Sequence, residues 1–271
     1  MNAFYDAVYL SPHLDDAALS CGGQIYQLAA EGKSVLVVTV MAGDPASRPS
    51  SQFAQSLHQR WQLESNTVEA RRAEDAAACR VLGADWQHWD FLDCIYRIEP
   101  ETERPLYTSD EGLFGEIDPA DFGLIDKLVG KMTLLPAHEQ LYVPLTLGHH
   151  VDHQLTRQAA ERAFPAAERT FSAPERTFSA PSLLYYEDYP YAERTAAEQF
   201  AAQEAGSWQA KVIELTENGV AARINAIQCF KSQLSTFFKN GQDLAHQVRI
   251  YIETVGGERV WMVVQEKRRI A

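Results

Sequence analysis

The chain has 271 residues with 24 basic and 37 acidic side chains, a formal charge of −13 that repels phosphate backbones and argues against nucleic acid as a partner. Hydrophobic residues at 46% and charged residues at 23% are ordinary for a globular protein with room for a sizeable core. No apolar run approaches the roughly 20 residues that span a bilayer, and the first residues lack the basic flank and apolar core of a signal peptide, so a cytoplasmic protein without stable membrane insertion is expected.

Taken in chain order, "DAVYLS" (6–11) is a short apolar strand. "SPHLDDAALSCGG" follows, placing His13, Asp15 and Asp16 between that strand and a helix, "GGQIYQLAAEG", which stops at Gly32. A strand over 34–43, "SVLVVTVMAG", completes the strand–helix–strand crossover of a parallel sheet. Residues 43–65 are polar and long for a connection, and read equally as a lid or a surface loop. The helix "TVEARRAEDAAACRVLG", closed by Gly83, leads to a strand around "QHWDFLD". Then come a helix at "IDKLVGKM", a strand at "EQLYVPLT", a helix from "HHVDHQLTRQAAERAF" and a strand at "SLLYYEDYP". Residues 207–238 read as mostly helical. "HQVRIYIETVGGERVWMVVQEK" reads as a C-terminal β-hairpin over about 247–266, turning at Gly256 and Gly257. This alternation predicts one α/β domain over 1–271 with an open, doubly wound, mostly parallel sheet and a core over about 6–240. "ERTFSAP" occurs at 168–174 and again at 175–181, too little to stack as a solenoid, and reads as a lengthened surface loop. Cys21, Cys79, Cys94 and Cys229 form no C-x-x-C pair and read as reduced, mostly buried thiols.

Two adjacent acids at the end of a buried strand repel unless a cation or proton lies between them. A parallel α/β sheet binds ligands beyond its carboxyl strand ends, where both His13-Leu14-Asp15-Asp16 and "LGHHVDH" (147–153) fall. Zinc accepts imidazole and carboxylate, commonly with three protein ligands and a water, so His13, Asp16 and one histidine of the second cluster make a ligand set. Asp15 is then free to act as a base on the water.

These segments resemble the LmbE-like, or PIG-L type, family of zinc-dependent N-acetylglucosaminyl deacetylases. "PHLDDAALSCGG" resembles that family's first motif, and His150-Val151-Asp152-His153 its second. Arg71 and Glu74 in "RRAEDAAACRVLG", and "KSQ" at 231–233, resemble two further segments. The resemblance implies a Rossmann-like three-layer fold. It makes His13, Asp16 and His153 the metal ligands for Zn2+, with other divalent metals such as Fe2+ admitted, and Asp15 the base. It makes His150 the group that stabilises the oxyanion or protonates the leaving amine, with Asp152 orienting it. Leu14, Ala17 and Val151 depart from the family's proline, glutamate and proline without deleting a ligand. No G-x-G-x-x-G follows the first strand, so no dinucleotide is expected.

The implied reaction removes the N-acetyl group from an N-acetylglucosamine-containing glycoside or related amino sugar. Arg71 and Asp93 are the candidate substrate contacts, and "YYEDYPY" (185–191) a candidate aromatic wall. The rival readings are a metal-dependent phosphoesterase and a non-catalytic metal- or sugar-binding module. Aglycone and oligomeric state, including a homo-oligomer, stay open.

Overall fold

The computed structural model describes residues 2–45, 51–63, 67–165, 182–193, 195 and 197–264. In chain order the elements are β1 (Phe4–Ser11), α1 (Asp16–Ala30), β2 (Val35–Thr39), α2 (Gln52–Arg60), α3 (Thr67–Leu82), β3 (Asp85–His88), α4 (Asp110–Leu113), α5 (Gly123–Met132), β4 (Ala137–Pro144) and α6 (Val151–Ala163). They continue with β5 (Ser182–Tyr186), α7 (Ala197–Gln203), β6 (Ser207–Ile213), α8 (Glu217–Ile227), α9 (Lys231–Phe237), α10 (Gly241–Val255) and β7 (Glu258–Val264). The "ERTFSAP" copies lie outside the described residues. So does part of the 43–65 stretch. Its described portion, α2, packs into the core through Ala54 and Leu57, followed by Trp61.

The sheet order is β3-β2-β1-β4-β5-β7-β6. The first five strands run parallel, while β7 pairs antiparallel with both β5 and β6. Because β1 and β2 are buried on both sides, they read as continuous apolar runs rather than as alternation. Leu36, Val38, Val8 and Leu10 face the core under α5 and α6, whereas Val35, Val37, Ala7 and Tyr9 face the layer of α1, α3 and α8. The order in which the parallel strands are added reverses at the β1/β4 boundary, which opens a crevice beyond their carboxyl ends. Both histidine motifs leave the sheet there.

The expected mostly parallel α/β sheet is present, and the described residues end on an antiparallel strand pair. Its partner strand, however, is β6, within the stretch read as helical. Residues from about 247 to 255, read as the first strand of a hairpin, lie in α10. Asn240 caps α10 by accepting the Gln242 and Asp243 N–H groups (2.9 and 3.0 Å), Leu244, Val248 and Tyr251 make its buried stripe, and Gly256 closes it at φ 85°. The apolar run "VRIYIETV" fits a strand and a helical stripe alike, and these caps decide it.

Within α1 the double glycine admits two close neighbours. A Cβ on Gly22 would lie 3.1 Å from Arg223 Cγ, and one on Gly23 would lie 2.4 Å from Leu215. Here the Gly23 and Gln24 N–H groups donate to Glu258 (2.8 Å each), and Arg223, fully buried, donates to the Leu19 carbonyl (2.5 Å). The last strand is thereby clamped to the helix that carries Asp15 and Asp16. Glu258→Ala strands a buried guanidinium and two helical N–H groups, and should lower unfolding free energy in urea by about 3–5 kcal/mol.

Among the described residues no helix is long and apolar enough to cross a membrane, and all four cysteines are free.

Candidate metal centre

The loop after β1 is shaped by its own polar groups. Ser11 donates its hydroxyl to the His13 carbonyl (2.7 Å) and accepts the Ala17 N–H (3.0 Å), while the His13 N–H donates to Asp16 Oδ2 (2.7 Å). Asp15 occupies the N-cap position of α1, yet its carboxylate makes no capping bond. That side chain is left for other work.

Asp16 Oδ2 lies 3.3 Å from His13 Nδ1 and 3.2 Å from His153 Nε2. Ligand atoms about 2.0–2.1 Å from a tetrahedral ion sit about 3.3 Å apart, so these spacings match two edges of such a site. His153 Nε2 is buried and has no hydrogen-bond partner despite its carboxylate neighbour, as expected of an atom aimed at a shared ion. Its other nitrogen, Nδ1, meets Asp188 Oδ1 at 2.5 Å, and His13 Nε2 meets Asp152 Oδ2 at 2.9 Å. Each imidazole thus has a carboxylate behind it that fixes its orientation, the arrangement usual behind metal-ligating histidines.

His13, His150 and His153 also bring ring nitrogens within 4.8 Å of one another, as do ligand atoms of Cys94, His150 and Asp152, and of His13, Asp93 and Asp152. The Cys94 set is the weaker one, because burial, then the Asp152 charge, pushes its thiol well above the usual range and keeps it protonated.

The charges favour a cation. Burial would lower the pKa of His13, yet Asp152 and Asp16 raise it well above the ordinary imidazole value. For His153, burial is likewise outweighed by Asp16 and Asp188, which bring it up to about 9. Asp16, despite burial, is held well below the carboxylate range by His153 and His13. A dication would replace the two protons that this acidic environment retains on the imidazoles. Asp15 moves the other way, pushed up to about 7 by burial and by Asp16, with Arg71 opposing. His150 is lowered well below the usual value by burial and by His13 and His153, so it rests neutral. Its Nδ1 accepts the Asp152 N–H (3.2 Å), which leaves the proton on Nε2.

All eight expected site residues converge here, with some roles redistributed. The Asp152 carboxylate does not hold the His150 ring. It meets His13, Arg97 Nη2 (2.6 Å) and the Cys94 N–H (3.0 Å), and only its backbone N–H reaches His150. The reason is position: His150 caps α6, and Asp152, fully buried in the first turn, turns its side chain toward the β1 loop. Arg71 is buried between Asp15 (3.8 Å) and Asp93 (4.0 Å) and stacks over Trp61. Asp93 also accepts the Ile95 N–H (3.2 Å). His149, exposed at φ 58°, lies off the cluster. Of the tyrosines in "YYEDYPY", Tyr185, Tyr186 and Tyr189 are buried in packing, while the Tyr191 ring stands beside His153, with Phe114 beside His150. Tyr191 lies so close to Gly148 that a Cβ there would come within 2.4 Å of its ring.

Sequence reasoning missed Asp188, Arg97 and Asp121, whose Oδ2 pairs with Arg97 Nε at 2.8 Å. Asp188 had a readable signal, since it follows an apolar parallel strand at the same sheet edge as the two histidine motifs. Arg97 and Asp121 lie at the ends of short 3-10 turns in the connection between β3 and α5, which carry no such signal.

The family model described as PIG-L, GlcNAc-PI de-N-acetylase, matches residues 8–164. A 2'-N-acetylparomamine deacetylase of Niallia circulans is 28% identical over 200 residues, which cover 68% of this chain and 66% of the relative. A Streptomyces fradiae protein of the same name is 28% identical over 187 residues, which cover 68% of this chain and 56% of the relative. The chain therefore matches somewhat under two thirds of those relatives' lengths. A crystal structure of a teicoplanin deacetylase, in a form described as zinc-inhibited, superposes with a TM-score of 0.78 at 28% identity, covering 97% of this chain and 99% of that one.

Proposed function

The chain belongs to the PIG-L family, and from that premise we propose that it is a metal-dependent N-deacetylase that removes the acetyl group from an acetylated amino sugar, releasing acetate and a free amine. The observation that carries this reading is the meeting of His13 and Asp16, from the β1 edge, with His153 from the β4 edge, at spacings suited to one tetrahedral ion. His13 through Nδ1, Asp16 through Oδ2 and His153 through Nε2 are the proposed ligands, backed by Asp152 and Asp188. Their nitrogen and oxygen donors suit zinc, and Fe2+ is the alternative tested below.

A divalent cation bound there supplies Lewis acidity toward the amide carbonyl and acidifies water. Asp15, its carboxylate uncommitted to capping and its pKa raised toward neutrality, takes the proton from the attacking water. Neutral His150 presents Nε2–H to the carbonyl oxygen as charge develops on it. The proton held by Asp15 then passes to the departing amine, which leaves uncharged. Arg71, held between Asp15 and Asp93, is assigned to fixing the base, and Asp93 to receiving a sugar hydroxyl. Phe114 and Tyr191 offer apolar ring faces on the His150 side. The whole chain is proposed to act as a single domain. The four free cysteines and the acidic composition suit a reducing, cytoplasmic setting.

The test is amine release from N-acetylglucosamine glycosides. Activity should vanish on chelation and return with one equivalent of divalent metal, with Zn2+, Fe2+ and Co2+ compared. Protein carrying one metal per chain that frees no amine from any acetylated amino sugar would overturn the reading, and phosphate release from phosphoesters would replace it.

A further inference from the structure

The Arg71 guanidinium is buried beside the proposed base, yet among the described residues it makes no hydrogen bond. Its Nη2 lies 3.8 Å from Asp15 Oδ2 and its Nη1 4.0 Å from Asp93 Oδ2, both beyond hydrogen-bond reach, and its Nε is buried without a partner. A guanidinium left to itself between two carboxylates closes on one of them as a two-point, charge-assisted pair. On Asp15 that pair would occupy the oxygens that take the proton from water. On Asp93 it would occupy the acceptor assigned to a sugar hydroxyl.

The contact that competes with both closures is an aromatic face. Arg71 Cζ lies 4.9 Å from the centroid of the Trp61 ring, and a desolvated cation over an indole is held more strongly than an exposed one. Trp61 closes α2 and is itself stacked on His58, with 5.8 Å between ring centroids and 29° between their planes. His58 is engaged at both ring nitrogens. Thr67 Oγ1 gives its one proton to the Leu63 carbonyl (2.8 Å), so His58 Nδ1 donates to that hydroxyl oxygen (3.2 Å) and Nε2 accepts from the Tyr96 hydroxyl (2.7 Å). With its backing fixed in this way, the Trp61 ring does not follow the guanidinium toward either carboxylate.

We propose that Trp61 is a positioning residue for the reaction: its ring holds the Arg71 cation at a station between Asp15 and Asp93, attracting both and bonding neither, so that the base stays free and Asp93 stays open to substrate. The proposal rests on the deacetylase reading above. It gives a role to the polar stretch over 43–65, whose described part carries the stacking ring. Trp61 acts through Arg71, and the feature that matters is the negative charge of its ring face as well as its bulk.

The experiment measures kcat and KM for amine release from an N-acetylglucosamine glycoside with metal-loaded wild type, Trp61→Phe and Trp61→Leu, each checked for metal content and a cooperative melt. Trp61→Leu keeps apolar bulk without a π face, and should lower kcat by about 10-fold or more at unchanged metal content, while Trp61→Phe should recover most of that loss. Fluorinated tryptophan then separates ring charge from packing, because fluorine drains the π face at nearly constant shape. With mono-, di- and tetrafluorotryptophan in place of tryptophan, wild type should lose kcat stepwise, about 10-fold in all. Trp61→Phe labelled in the same way should stay level, and it reports the other four tryptophans, each of which also lies under a cation. A wild type that falls no faster with fluorination than Trp61→Phe, or a folded, metal-loaded Trp61→Leu with wild-type kcat, would overturn the Trp61 proposal alone. Should Trp61→Leu not fold, the fluorination series decides by itself. Metal-loaded wild type that frees no amine overturns the deacetylase reading and this proposal with it.

Discussion

Asp15→Asn should lower kcat for amide hydrolysis by about 10²- to 10⁴-fold while leaving metal content at the wild-type level. The substitution keeps the size of the side chain and removes its capacity to hold a proton. The two results separate base from ligand: if Asp15 helped hold the metal, occupancy would fall together with rate. The pH profile adds a second readout. Activity requires the Asp15 carboxylate, so the rate should rise with pH through its pKa. Burial and Asp16 set that value to about 7, and a bound cation beside it shifts the limb to lower pH. In Asp15→Asn this acidic limb should disappear from the residual activity. A variant retaining more than a tenth of wild-type kcat would remove Asp15 from the role of base.

His153→Ala should have the largest effect on metal binding. It removes one proposed ligand, leaves Asp188 facing a void, and takes away the neighbour that most strongly holds Asp16 ionised. The comparison is with Asp188→Ala, which keeps the imidazole but loses the carboxylate 2.5 Å behind it. Asp188→Ala should weaken metal affinity by about 10–100-fold, and His153→Ala by more. Calorimetric titration in buffers of different ionisation enthalpy should also register protons released as metal enters the wild type, because His13 and His153 must give theirs up. Equal affinity in wild type and His153→Ala would remove His153 from the ligand set.

Much of this centre could be read in the sequence because the rules behind it are local. A fully buried parallel strand is a continuous apolar run, and whatever follows it stands at the carboxyl edge of the sheet. His13, Asp15 and Asp16 after β1, and His150, Asp152 and His153 after β4, were legible on that ground. That β1 and β4 are neighbours, which makes the two motifs one site, follows from strand order. No local pattern states that order. Local pattern alone does not choose between His149 and His150; the family resemblance points to His150, and the backbone turns His149 outward at φ 58° while His150 caps α6.

The misreadings have physical causes. β6 is an edge strand whose residues are largely exposed, so "SWQAKVI" carries little apolar alternation to distinguish it from helix. In α10 the apolar positions satisfy both periods, and Gly256 serves as a helix terminator where it was read as a hairpin turn. The role of Asp152 was misjudged through sequence proximity to His150. Its carboxylate instead crosses to His13, 139 positions away.

X-ray absorption at the metal edge, on protein reconstituted with one equivalent of Zn2+ or Co2+, tests the central claim most directly. The account predicts a first shell of nitrogen and oxygen at about 2.0–2.2 Å, with multiple scattering from two imidazoles and no sulfur, and loss of one imidazole in His153→Ala. Scattering from three imidazoles would move His150 into the ligand set, and sulfur at about 2.3 Å would place the ion on Cys94; either result contradicts the assignment of His13, Asp16 and His153.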